Sequence, residues 1–293
     1  MALNIQTFIK RTLTAIVFVA ILLFGICYNY ISFVSLFFVV SIWGLNEFYL
    51  LAEKLNVKPY KIIGYLAGIS LFLFSSLSQF TLLQGVDFLK NILPFSFVLI
   101  FLVFVKALFD KYPNPIQNIA YTILGVIYVV LPFSLLVHIS CIDNFFIDKV
   151  NNQGIQSYAP YNYHYVLGVI VLIWISDVSA YLVGSFFGKH KLYERISPGK
   201  TWEGSIGAAF LTLGASFVIA RFFPELEMKH WVVISLLVSI FGTIGDLVES
   251  MIKRQAGVKD SGRIMPGHGG ILDRFDSLLF VSPFIYAYLT YIK

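Results

Sequence analysis

WVVISLLVSIFGTIGDLVES, residues 231–250, runs through fifteen uncharged residues before its first charge, Asp246. As a helix rising 1.5 Å per residue it is about 30 Å long, the thickness of a bilayer's hydrocarbon core. Blocks of similar length and character lie at 12–28, 31–51, 62–83, 92–109, 118–141, 165–187, 204–223 and 275–291. Over the 293 residues, 58% are hydrophobic and only 13% charged, against roughly 25% charged in soluble chains. The fold expected is an all-α, polytopic integral membrane protein with nine transmembrane helices. A soluble nucleotide-binding fold, a disulfide scaffold and a disordered chain are excluded. Cys27 and Cys141 build neither a disulfide framework nor a thiolate cluster. No cleavage site follows Lys10 and Arg11, so the first block reads as a span and not as a signal peptide.

Nine spans put the termini on opposite sides. With a cytoplasmic N-terminus, the outside segments hold only Lys90, Lys149, Arg221, Lys229 and Lys293 of the 21 Lys and Arg residues. The positive-inside bias therefore places the N-terminus in the cytoplasm, and the net charge of +5 reflects topology and not nucleic-acid binding. A polar outside loop from Ile142 to His164 suggests a division into an N-terminal bundle of five spans, 1–145, and a C-terminal catalytic region of four, 146–293. The first five spans are expected to hold no deeply buried charge. The sixth and seventh carry small-residue ridges (Ser176, Ala180, Gly184, Gly188 and Gly204, Ala208, Thr212, Ser216) that suit close helix packing.

A charge inside a span is costly unless paired or hydrated, so Asp177, Asp246 and Glu249 mark a site. Asp246, Glu249, Ser250 and Lys253 share one helical face toward the cytoplasmic end of the eighth span. The competing reading of Asp246 and Glu249 is an internal ion pair. Beyond them, Lys253, Arg254, Lys259 and Arg274 surround the run Gly267, His268, Gly269, Gly270, a setting suited to phosphate. Asp273 and Asp276 can both be read as caps of the ninth span; for Asp273 a metal ligand is preferred, and for Asp276 the cap reading stays open. Lys200 stands at the expected N-terminus of the seventh span, a favourable anion position. Gly199, Lys200 and Thr201 do not form a Walker loop, because Glu194 occupies the place of its first glycine. The chain shows no serine-hydrolase elbow, zinc motif or nucleic-acid module.

The stretch SMIKRQAGVKDSGRIMPGHGGILDRFD, residues 250–276, closely resembles the signature of the phosphatidate cytidylyltransferases, or CDP-diacylglycerol synthases. Similarity extends to Asp177, Ala180 and Tyr181, to SPGKTWEG at 197–204 and to GDLVES at 245–250, covering about residues 170 to 280. Met265 stands where the family usually has Leu, Ile or Phe. The resemblance implies transfer of CMP from CTP to phosphatidic acid in a bacterial inner membrane, with the site facing the cytoplasm. It implies Mg2+ held by Asp246 and Asp273, a monovalent cation such as K+, and a homodimer. Lys253, Arg254 and His268 are then catalytic, and Asp177, Lys200, Lys259, Arg274, Gly269 and Gly270 surround substrate phosphates. A CTP-using lipid kinase and a transporter are the rival classes. A CDP-alcohol phosphotransferase is disfavoured by the absence of any Asp-Gly pair.

Overall fold

In a lipid bilayer every backbone amide must find its partner within the protein, and helices meet that demand within one segment. The computed structural model describes residues 5–79, 92–142, 161–262, 264 and 269–292, without the side chains of 5–11, 79 and 92–96. Its helices are α1 (Ile5–Cys27), α2 (Tyr30–Lys54), α3 (Lys61–Gln79), α4 (Ile92–Leu108), α5 (Pro115–Ser140), α6 (Tyr163–Phe187), α7 (Trp202–Phe222), α8 (Met228–Gln255) and α9 (Leu272–Ile292). Among the described residues seven of these, α2, α3 and α5 to α9, are long and apolar enough to cross a membrane. The apolar stretches Thr12–Cys27 in α1 and Phe97–Leu108 in α4 are shorter. The protein is an all-α, multi-pass membrane protein.

Local chemistry sets where helices begin and bend. Asn29 starts α2 with a capping box, its side chain accepting from Ser32 N at 2.7 Å while Ser32 Oγ accepts from Asn29 N at 3.0 Å. In α5, Pro132 has no amide to give, and the helix widens into a π-helical turn at Val126–Val130 just ahead of it.

Aromatic packing ties α9 to the first helices. Phe275 of α9 lies 5.5 Å from Phe133 of α5 and 6.4 Å from Phe37 of α2, ring centre to ring centre. One buried apolar core thus takes residues from α2, α5, α6, α8 and α9. The expected boundary at 145 and 146 lies outside the described residues.

Helices α6 and α7 meet along the small-residue ridges expected of them: Gly204, Ala208, Thr212 and Ser216 are buried in α7. A Cβ at Gly204 would stand 2.8 Å from Ala180 O and 3.1 Å from Gly184 Cα, so only glycine lets the two backbones touch there. Between these helices the chain forms a hairpin, β1 (Lys191–Tyr193) antiparallel to β2 (Ser197–Thr201), an element the all-helical expectation did not include. It delivers Thr201 to the start of α7, where the Thr201 hydroxyl caps Gly204 N at 3.1 Å.

Candidate active site

The four C-terminal helices enclose a cavity of about 550 Å³, a common size for a small-molecule site. Asp177 of α6, Lys200 of β2, Asp246 of α8, and Asp273 and Asp276 of α9 all line it. Lys200 sits at the end of the hairpin, beside the start of α7. Its ammonium crosses the cavity to Asp246 Oδ2 at 2.6 Å and to Thr243 O at 3.3 Å. Ser250 Oγ donates to Asp246 Oδ1 at 3.2 Å. Helices α8 and α9 approach closely, since a Cβ at Gly245 would meet Asp276 O at 2.8 Å, and this sets Asp246 beside the start of α9. Because α9 begins at Leu272, Asp276 stands a full turn inside the helix. That removes its reading as a helix cap.

Below the cavity lies a buried cluster of ions. Lys253 Nζ bonds Asp273 Oδ1 at 2.6 Å and pairs with Glu249 one turn back on α8. The Glu249 side chain is 1% exposed and the Asp273 side chain 8%. The other Asp273 oxygen, Oδ2, accepts from Ser261 N at 2.8 Å, Ser261 Oγ at 2.9 Å and Gly270 N at 2.7 Å. The ion-pair reading therefore holds for Glu249, with Lys253 as its partner, while Asp246 pairs with Lys200.

The remaining expected residues are placed less centrally. The guanidinium of Arg254 donates to Ile196 O at 3.4 Å and Val258 O at 3.1 Å, linking α8 to the hairpin. Lys259 is exposed, and neither it nor Arg254 lines the 550 Å³ cavity. Arg274 is exposed and lines a small neighbouring cavity together with Asp177 and Asp276. Gly269 adopts φ +85°, and a Cβ there would meet Asp273 Oδ2 at 2.5 Å, so this position needs glycine twice over. The Gly270 amide, expected to face a phosphate, is given to Asp273. His268 lies outside the described residues.

One residue escaped the sequence reading. Glu47, two turns from the end of α2, is 3% exposed and corrects the expectation that the first five spans bury no charged residue. Its carboxylate accepts from Ile271 N at 3.0 Å, Leu272 N at 3.0 Å and Ser261 Oγ at 2.9 Å. An acid inside an apolar block was the available signal.

The donor set suits a hard cation. Mg2+ is commonly held by one or two carboxylates, with substrate phosphates and water completing its shell. Asp246 faces the cavity with Asp177, Asp273 and Asp276 around it, while among the described residues no three of His, Cys, Asp and Glu form a preformed cage.

The model of the cytidylyltransferase family matches residues 9–292, so the likeness takes in the first five helices as well. A phosphatidate cytidylyltransferase of Staphylococcus aureus (strain COL) is 38% identical over 199 residues, 67% of each chain. One from Staphylococcus epidermidis is 32% identical over 277 residues, covering 94% of this chain and 96% of its own. One from Staphylococcus haemolyticus reaches 50% over 124 residues, 42% of this chain and 47% of its own. With a lysine and four aspartates of the C-terminal helices around one cavity, and the family match running nearly end to end, this chain belongs to the cytidylyltransferase family.

Proposed function

We propose that this protein transfers CMP from CTP to phosphatidic acid, forming CDP-diacylglycerol and pyrophosphate. The observation that carries the reading is the cavity that gathers Asp177, Lys200, Asp246, Asp273 and Asp276 at one end of four membrane helices. CTP carries a charge of about −4 and the lipid phosphomonoester about −1.5 to −2, so the two meet only where positive charge offsets them. Lys200 supplies part of that charge at the cavity wall. Asp246 and Asp273 are the residues assigned to hold Mg2+, with Asp177 and Asp276 beside them. When bound, the ion neutralises triphosphate charge and eases departure of pyrophosphate.

In the reaction an oxygen of the lipid phosphate forms a bond to the α-phosphorus of CTP. The bond from that phosphorus to the α–β bridging oxygen breaks, and pyrophosphate leaves with the electron pair. The attacking oxygen is already anionic, so the protein's work is alignment and charge stabilisation, without a strong base. Tyr181 of α6 lines the cavity and is 74% exposed, an aromatic surface that suits sideways entry of an acyl chain from the leaflet.

The same proposal includes nine membrane crossings, a cytoplasmic N-terminus and a cytoplasmic site mouth, supported by the distribution of Lys and Arg. It includes a five-span N-terminal and a four-span C-terminal region, a homodimer and a monovalent cation near the site. Arg254, Lys259, Arg274 and His268 stand in it as charge and proton-bearing groups for the substrate phosphates.

The deciding test uses purified protein with phosphatidic acid, Mg2+ and CTP labelled at the α- or the γ-phosphate. Label from the α position alone should enter the lipid phase. Lipid-borne γ label would mean a kinase and would reject the assignment, and no lipid label at all would leave a transporter.

A further inference from the structure

A buried acid of the N-terminal half reaches the segment that carries Asp273. Glu47 of α2 binds three donors on the segment that leads into α9: the hydroxyl of Ser261 and the amides of Ile271 and Leu272. Leu272 N is the first amide of α9 and Ile271 N comes immediately before it, so neither has a partner within the helix. Ser261 Oγ lies 2.9 Å from both Glu47 Oε2 and Asp273 Oδ2, so its one proton is shared between the two carboxylates. The fit is tight as well: a Cβ at Gly262 would stand 2.4 Å from Glu47 Oε1, and one at Gly270 would stand 2.3 Å from Glu47 Oε2. Glycine at both positions lets the chain close around the carboxylate.

We propose that Glu47 is a positioning residue for the active site, holding the start of α9 and, through Ser261, the carboxylate of Asp273 at the cavity wall. Glu47 does not line the cavity, so it acts only through the segment it grips. Its negative charge at the N-terminus of α9 also suits the helix dipole. The carboxylate has acceptor lone pairs for all three donors, whereas a glutamine amide turns one of its two heads into a donor facing an N–H or O–H. Substitution by glutamine therefore changes little in volume and breaks the grip.

The functional arm of the test rests on the cytidylyltransferase reading, and the exchange arm does not. Glu47→Gln and Tyr49→Phe are prepared as full-length protein in detergent. Tyr49 serves as control because its hydroxyl bonds Thr122 O at 2.9 Å on the same helix, within the N-terminal bundle and away from α9. Three quantities are read: melting temperature, amide hydrogen exchange across residues 270–273, and turnover against Mg2+ concentration. Glu47→Gln should speed exchange at Ile271 and Leu272. It should also raise the Mg2+ concentration for half-maximal turnover, or lower kcat, by about 10- to 100-fold, the usual effect of losing a group that orients a metal-holding side chain. Tyr49→Phe should lower the melting temperature without moving either readout. If Glu47→Gln does not fold, Ser261→Ala removes the shared hydroxyl alone and should shift the Mg2+ dependence in the same direction. Unchanged exchange at Ile271 and Leu272 would overturn the proposal. So would a Mg2+ profile like wild type in both Glu47→Gln and Ser261→Ala. A wild-type protein that puts no α label into lipid would instead sink the assigned reaction and leave the exchange arm to judge the grip.

Discussion

Lys200 of the hairpin and Asp246 of α8 face each other across the cavity, ammonium to carboxylate at 2.6 Å, with side chains 22% and 35% exposed. Neither is fully desolvated, so the pair adds little to folding. In the proposed reaction its value lies in placing one cation and one anion where a triphosphate and Mg2+ would both be accommodated. Lys200→Ala and Asp246→Asn should each reduce turnover by about 100-fold or more while the protein still inserts and melts near the wild-type temperature, since the lost groups stabilise developing charge. Groups acting as one unit are non-additive, so the double variant should be no worse than the poorer single one. Steady-state kinetics of the three variants check this, and losses that multiply would separate the two roles.

Lys253 behaves differently, although the sequence places it among the phosphate binders. Its ammonium is held between Glu249 and Asp273, and the residue is 9% exposed. Removing it leaves two buried carboxylates facing one another, a defect that costs about 3–5 kcal/mol. Lys253→Ala should therefore lower thermal stability sharply as well as activity. Arg254→Ala, which gives up two hydrogen bonds to exposed backbone carbonyls, should change stability by less than about 1 kcal/mol. Thermal denaturation of both variants in one detergent decides it. Equal melting temperatures would mean that Lys253 is not the keystone of the buried cluster.

Seven of the expected spans were legible because a bilayer imposes length and composition on whatever crosses it, and Asp177 and Asp246 were legible because charge within such a span demands a reason. Contacts between distant segments were not. Glu47 meets Ile271 across 224 positions, and nothing local to NEFYL, residues 46–50, marks the partner. The i, i+4 spacing of Glu249 and Lys253 showed half of the ion cluster. Asp273, twenty residues beyond Lys253, supplies the other half only in the folded chain. Gly270 deceived as well: in a glycine-rich run its amide looks like part of a phosphate cradle, yet it is spent on the protein's own carboxylate.

The contact between α6 and α7 can be probed apart from catalysis. Gly204→Ala drives a methyl group to 2.8 Å from Ala180 O, and a backbone carbonyl in a packed helix has little room to yield. Overpacking of this kind costs about 1–3 kcal/mol. Gly214 lies on the same helix, and beyond its own helix backbone and chain neighbours nothing comes within 4 Å of the place a methyl group would take there, so Gly214→Ala should gain up to about 1 kcal/mol of helix propensity. Opposite shifts in melting temperature are the expected result. A Gly204→Ala variant as stable as wild type would show that the two helices have slack at their crossing.

Orientation sets which pool of CTP the cavity meets, and reporter cysteines in a cysteine-free background test it directly. Cys27 is exposed and Cys141 buried, so Cys27→Ser and Cys141→Ala make a suitable background. Position 262 is a poor reporter because any side chain there collides with Glu47. His190, with an 80% exposed side chain, and Tyr193 in β1, 50% exposed, are better placed beside the cavity mouth. Met228 opens α8 at the other end and is 52% exposed. With the basic loops in the cytoplasm, an impermeant thiol reagent added to intact cells should label Met228→Cys and spare His190→Cys and Tyr193→Cys. After the cells are broken all three should react. Labelling of His190→Cys in intact cells, with Met228→Cys protected, would turn the protein over in the membrane and put its substrate cavity on the side where cytosolic CTP is out of reach.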